Sequence, residues 1–146
     1  NELATNRFPV DGQPIRLSDI RVPMFVVGTE ADHVAPWKSV YKVDNLVRSD
    51  DFTFLLTAAG HNAGIVCGPA HPKRHYRIKT RRLADPHLAP DDWVQAATRH
   101  EGSWWPAWQQ WLAAHSGART KPPAMGALRK GYSALEDASG SYVRQR

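Results

Sequence analysis

Two short apolar runs constrain this chain more than any other feature: Val22-Pro23-Met24-Phe25-Val26-Val27-Gly28 and Phe52-Thr53-Phe54-Leu55-Leu56-Thr57. The first is continuously apolar rather than alternating, the pattern of a strand buried on both faces in a parallel sheet covered by helices. Pro23 is tolerable only near the start of such a strand. The second run is rich in aromatic and β-branched residues and reads as another strand. Between them, Pro36 suits the first turn of a helix, because its missing N–H would be unpaired there in any case. Trp37, Val40, Tyr41 and Val47 fall roughly on one face of that helix, and Asp44 interrupts the stripe. The fold class is therefore α/β.

Two strands joined by one helix cannot bury both faces of a parallel sheet. The outer edge of the first strand would also expose a row of unpaired backbone groups. With Asn1 rather than Met at the start, this leads us to expect a fragment, incomplete on its own, with sequence missing upstream. The remaining segments add little regular structure. Asn1 to Ser18 is polar, with Asp11-Gly12 a tight turn between short extended pieces. Residues 67–90 read as irregular. Pro90-Asp91-Asp92 opens a short helix to about Thr98, its acids placed where the helix dipole favours them. Ser103 to His115 reads as a stronger helix, with Trp104, Trp108 and Trp111 on one face and Gly117 as its C-terminal cap. The expected organisation is one domain portion over residues 1–117 and a loosely structured tail over 118–146.

Composition excludes several classes. Cys67 is the single cysteine among 146 residues, so no internal disulfide can form, which suits a reducing compartment. The longest apolar run is far too short to cross a bilayer, and the start does not resemble a signal peptide. The net charge of +5 is concentrated in residues 71–82, His71-Pro72-Lys73-Arg74-His75-Tyr76-Arg77-Ile78-Lys79-Thr80-Arg81-Arg82. Such a run reads first as a solvated edge or loop and second as a contact for the phosphates of a coenzyme. No zinc-finger spacing, RNP-type aromatic motif or basic-zipper heptad accompanies it, so nucleic acid is not the expected partner.

The chemistry lies where the two strands release the chain. Asp32, in Glu30-Ala31-Asp32-His33-Val34-Ala35-Pro36-Trp37, follows the first strand. His61, in Ala59-Gly60-His61-Asn62-Ala63-Gly64, follows the second, 29 residues later. Parallel neighbours would deliver both loops to the sheet end where ligands of open α/β sheets bind. A carboxylate bonded to imidazole fixes its tautomer and stabilises the imidazolium formed in general-base catalysis. The structural alternative is a helix-capping aspartate and an incidental loop histidine. Other residues point elsewhere. His33 suits a structural or supporting role. His71 and His75 lack a completing ligand set, so no metal is expected. Cys67 reads as a small buried residue, and the Trp104/Trp105/Trp108/Trp111 cluster as core. Gly131-Tyr132-Ser133-Ala134-Leu135 only begins like a nucleophile elbow and comes after the histidine.

The order strand, acid, helix, strand, histidine resembles the last part of an α/β-hydrolase fold. More specifically, Gly12-Gln13-Pro14-Ile15-Arg16-Leu17-Ser18-Asp19-Ile20, Asp32-His33-Val34-Ala35-Pro36-Trp37-Lys38-Ser39-Val40-Tyr41, Gly60-His61-Asn62-Ala63-Gly64-Ile65-Val66 and Gly102-Ser103-Trp104-Trp105-Pro106-Ala107-Trp108 resemble poly(3-hydroxyalkanoate) synthases. The resemblance spans roughly residues 1–117 and fits the C-terminal part of the catalytic domain. It implies an acyltransferase polymerising (R)-3-hydroxyacyl-coenzyme A into polyester at cytoplasmic granules, with no further cofactor and with a homodimer among its allowed assemblies. It implies catalytic roles for His61, activating a cysteine thiol, and for Asp32, helping to activate the 3-hydroxyl for chain elongation. The family cysteine sits in a Gly-x-Cys-x-Gly elbow preceding the aspartate, and residues 1–146 hold no counterpart, so this chain alone is expected to be inactive. An esterase or polyester depolymerase with an upstream serine, and a non-catalytic protein that binds a synthase, are the alternatives.

Overall fold

Asp11 and Gly12, with φ of 48° and 77°, turn the chain between β1 (Phe8–Val10) and β2 (Gln13–Ile15), an antiparallel ribbon. Positive φ at both central residues is the geometry that matches strand twist in a two-residue hairpin. The computed structural model describes residues 1–71 and 73–145, and the chain divides into two units, Asn1–His115 and Ser116–Arg146.

In the first unit the apolar runs become β3 (Met24–Thr29) and β4 (Asp51–Thr57), which pair in parallel. Between them lies α1 (Trp37–Tyr41), which tightens into a 3-10 turn over Lys42–Asn45. After β4 come α2 (His61–Ile65), β5 (His75–Arg82), α3 (Pro90–Ala96), β6 (Thr98–Glu101) and α4 (Trp105–Ala114). The sheet order is β3-β4-β5-β6, with β5 and β6 antiparallel to their neighbours.

Alternation along β4 supplies two cores. Phe52, Phe54 and Leu56 face Tyr41, Val47, Trp93 and Ala97 on the α1/α3 side. Leu55 faces the other way, toward Cys67, Tyr76 and Trp104. Helices therefore cover both faces, as an α/β layer structure requires. Phe52, Phe54 and Leu55 are essentially inaccessible, and each such side chain contributes about 1.5–3 kcal/mol by leaving water.

Several expectations are corrected. Residues 67–90 are not irregular throughout: His75–Arg82, the larger part of the basic run, forms β5, an interior strand rather than an edge or loop. Tyr76 and Ile78 pair with Thr57 and Leu55 on one face. On the other, Arg77, Lys79 and Arg81 lie opposite Leu56, Phe54 and Phe52, a register that sets their aliphatic stems beside apolar side chains. Arg81 stands 5.8 Å over the Phe52 ring. The helix expected to reach Thr98 stops at Ala96, and Thr98–Glu101 joins the sheet instead. The helix expected through Val47 is shorter, because Asp44 turns inward to Arg81 and His87. Met24–Val27 are half-buried rather than buried on both faces, since among the described residues β3 has a strand on one side only.

The second unit holds 3-10 turns at Leu128–Lys130 and Tyr142–Arg144 and one bridge between Ala127 and Tyr132. Gly131 caps the first turn at φ 83°, so the elbow-like Gly131–Leu135 motif is not a strand-to-helix elbow. Met125, Leu128, Tyr132 and Leu135 are exposed. Among the described residues no helix is long and apolar enough to cross a membrane.

Candidate active site

Parallel pairing of β3 and β4 brings the loops that follow them to one end of the sheet. The loops are then laced together through the backbone. Glu30 N–H donates to Thr57 O at 2.9 Å, and Ala31 N–H to Ala59 O at 3.0 Å. Ala59 takes φ 80°, a left-handed conformation that costs a non-glycine residue about 1–3 kcal/mol. Gly60 then caps α2, and His61 is the first residue of that short helix rather than part of a loop.

Asp32 and His61 meet here, with His61 Nδ1 2.9 Å from Asp32 Oδ2. The Asp32 side chain is 7% exposed and that of His61 49%. Both carboxylate oxygens of Asp32 are filled. Oδ1 accepts from the backbone N–H groups of Val34 (2.9 Å) and Ala35 (2.8 Å), and Oδ2 also accepts from Thr29 Oγ1 (3.1 Å). The Ala35 N–H, followed by the His61 bond, holds the Asp32 carboxyl far below its ordinary 3.8; burial opposes this, and the Val34 and Thr29 bonds reinforce it. An ionised carboxylate only accepts, so Nδ1 of His61 carries the proton of this bond, and in the neutral imidazole the lone pair is on Nε2. Nε2 has no partner among the described residues. A cavity of about 270 Å³ opens beside it, lined by Val27, Ala35, Val40, Ile65 and Val66 as well as the two titratable groups. The arrangement is an imidazole oriented by a carboxylate at the rim of a mostly apolar pocket.

A second Asp–His pair, invisible in the sequence, lies toward the other end of β4. Asp44 accepts from Arg81 Nε at 2.7 Å and from His87 Nδ1 at 2.6 Å, and it is almost wholly buried. Tyr41 stacks on His87 and donates its hydroxyl to Leu88 O. Burial, with a smaller push from the Asp44 charge against a pull from Arg81, raises the Tyr41 phenol to about 12. A larger cavity, about 330 Å³, adjoins this cluster. The second nitrogen of His87 is engaged by Asn45 at 3.1 Å, so this histidine has no free lone pair to offer a substrate. The pair is a structural tie between the 83–89 loop and the 3-10 turn that follows α1.

The other candidates separate clearly. His33 is exposed and bonds to nothing among the described residues, so it does not support Asp32 as expected. His75 instead bonds Glu30 at 3.1 Å, tying the start of β5 to the loop that carries Asp32. Nothing in the sequence pairs two residues so far apart. Cys67 is fully buried against Leu55, Tyr76 and Trp104 and is closed to substrate. Trp104 is buried core, whereas Trp108 is 40% exposed. Among the described residues no group of three His, Cys, Asp or Glu side chains could hold a metal ion.

No protein-family model matches the chain. It is 38% identical, over its whole length, to the poly(3-hydroxyalkanoate) polymerase subunit PhaC of Cupriavidus necator and covers 24% of that protein. Identity to the PhaC subunit of Rhizobium etli is 36%, again over the whole chain and 22% of the relative. Poly(3-hydroxyalkanoate) polymerase 2 of Ectopseudomonas oleovorans is 37% identical over 94% of this chain and 23% of its own length. The resemblance carried by the motifs thus extends along the whole chain, which spans about a quarter of the length of the curated relatives it matches.

Proposed function

We propose that this chain, similar throughout to poly(3-hydroxyalkanoate) polymerases, supplies the histidine and aspartate of a site that builds polyester from (R)-3-hydroxyacyl-coenzyme A. The observation that carries this reading is the 2.9 Å bond from His61 Nδ1 to an ionised, fully bonded Asp32, with Nε2 unpartnered beside an apolar cavity. In this reading the nucleophile is a cysteine thiol outside residues 1–146, and the burial of Cys67 in the core is in keeping with it.

The steps follow from these groups. Nε2 of His61 removes the thiol proton, and the thiolate, the stronger nucleophile, attacks the thioester carbonyl. Coenzyme A leaves as a thiol, taking the proton from the imidazolium. His61 then accepts the proton of an incoming 3-hydroxyl as that oxygen attacks the acyl-cysteine, forming the new ester and releasing the cysteine. The apolar lining of the cavity suits an acyl chain. The same polymerisation places the working protein at the surface of a cytoplasmic polyester granule.

In this reading Asp32 acts through His61 rather than taking the hydroxyl proton itself. Its two oxygens already accept four hydrogen bonds, and its pKa is too low for a base near neutrality. Asp32→Asn, in the protein that carries this chain, is expected to lower coenzyme A release by a hundredfold or more, about the scale seen when a triad carboxylate is neutralised. The sign of the pH effect is also set. A carboxylate whose folded pKa is depressed stabilises the fold above its ordinary 3.8 and loses that contribution only as pH falls through its lower folded value. Between about pH 4 and pH 8 the wild-type rate should carry no limb from Asp32. Full turnover in the asparagine variant would remove Asp32 from the site.

A further inference from the structure

We infer that Ser103-Trp104-Trp105 is a positioning clamp for His61, an inference that rests on the catalytic reading of His61 above. The helix that carries His61, α2, has five residues. A helix so short has no stability of its own in water, and its last carbonyls lack intrahelical partners. Trp104 and Trp105, where α4 begins, satisfy two of them, and Ser103 just before them bonds a carbonyl of the segment that follows α2. Trp104 Nε1 donates to Gly64 O at 2.9 Å, Trp105 Nε1 donates to Ile65 O at 3.0 Å, and Ser103 Oγ donates to Cys67 O.

The local geometry explains why the donors lie in one run. Gly102, at φ 92°, turns the chain out of β6 in a conformation that other residues rarely adopt, and its N–H is bonded to Arg74 O. The next three side chains then meet the end of α2 together. Trp104 is also held by Phe25, 6.4 Å away and stacked, and by Trp108 at 5.8 Å. Its N–H is therefore aimed from a packed ring with little freedom left.

The packing of α2 against Thr29 and Ala58 is as tight. A Cβ at Gly64 would stand 2.5 Å from Thr29 Cγ2 and 2.9 Å from Ala58 O, so only glycine lets α2 approach this closely. Thr29 is also the residue whose hydroxyl donates to Asp32. One threonine thus touches both the helix bearing His61 and the carboxylate that orients it, while the indoles hold the carbonyls at the end of that helix. The bond between Asp32 and His61 depends on where α2 sits, and α2 sits where these contacts put it.

Trp105→Phe and Trp104→Phe keep the ring and delete the N–H. Trp93→Phe makes the same chemical change in the other core, around Phe54 and Tyr41, where no bond to α2 exists, and serves as the control. In the protein that carries this chain, both clamp variants are expected to lower kcat about tenfold with KM changed less than about twofold, since small displacements of a catalytic group cost rate rather than binding. Amide exchange in residues 61–66, followed by mass spectrometry, should accelerate at the same time, and the control should move neither readout. Unchanged exchange in both clamp variants would overturn the clamp whatever the rate does. Faster exchange with unchanged kcat would overturn its role in positioning. If His61→Gln retains full turnover, the catalytic reading of His61 fails, and the exchange measurement still tests the clamp itself.

Discussion

His61→Gln is expected to lower the rate of thioester turnover by about 100- to 10,000-fold, the range that a positioned general base contributes. Glutamine can still donate one hydrogen bond toward Asp32, but it cannot take a proton from a thiol or a hydroxyl. The loss should appear mainly in kcat, because the apolar walls formed by Val27, Val40, Ile65 and Val66 remain and the acyl chain keeps its contacts. The side chain is half exposed, so the substitution should leave stability close to wild type. Turnover is measured as coenzyme A thiol released from an (R)-3-hydroxyacyl thioester. A loss of less than about threefold would mean that the proton is taken elsewhere.

Asp44→Ala should cost about 3–5 kcal/mol of stability, the range for removing one member of a buried ion cluster. The reason is the partners left behind. Arg81 is largely covered by the sheet, and Arg81 and His87 would each lose a carboxylate oxygen at 2.7 Å and 2.6 Å. Replacing Asp44, Arg81 and His87 together by apolar residues of similar volume should recover much of that loss, because the cost of desolvating charge disappears with the charges. Urea unfolding of the single and triple variants measures both effects. Equal stability of Asp44→Ala and wild type would show that water reaches the cluster freely. Catalysis should be affected far less than by His61→Gln, since no nitrogen of His87 is free.

How much of this was legible in the sequence differs from element to element, for physical reasons. Met24–Thr29 and Asp51–Thr57 were readable as strands because a strand covered by helices needs an almost unbroken apolar run. The hairpin at Asp11-Gly12 was readable because few dipeptides accept two positive φ values. β5 was not. Its apolar side is only Tyr76 and Ile78, and its other side is covered by the stems of Arg77, Lys79 and Arg81, which register in a sequence as charge. The cue was the alternation from His75 to Thr80, masked by the positive charges. Asp44 reads in the sequence as a flaw in an apolar stripe, and its partners lie 37 and 43 residues away in a stretch with no clear apolar period. At the site, the positions of Asp32 and His61 after two strands could be read directly. The Thr29 bond, the Glu30–His75 tie and the indole donors could not, since each joins residues through tertiary packing alone.

The most direct test of the central claim is the mass of the acyl-enzyme. The protein that carries this chain is mixed with an (R)-3-hydroxyacyl-coenzyme A, quenched in acid within the first turnover, digested and mapped. The account predicts an acyl adduct on a cysteine outside residues 1–146, formed rapidly in the wild type and at least a hundredfold more slowly in His61→Gln. An adduct on Cys67 or on a serine, or equal rates in the two proteins, would contradict it.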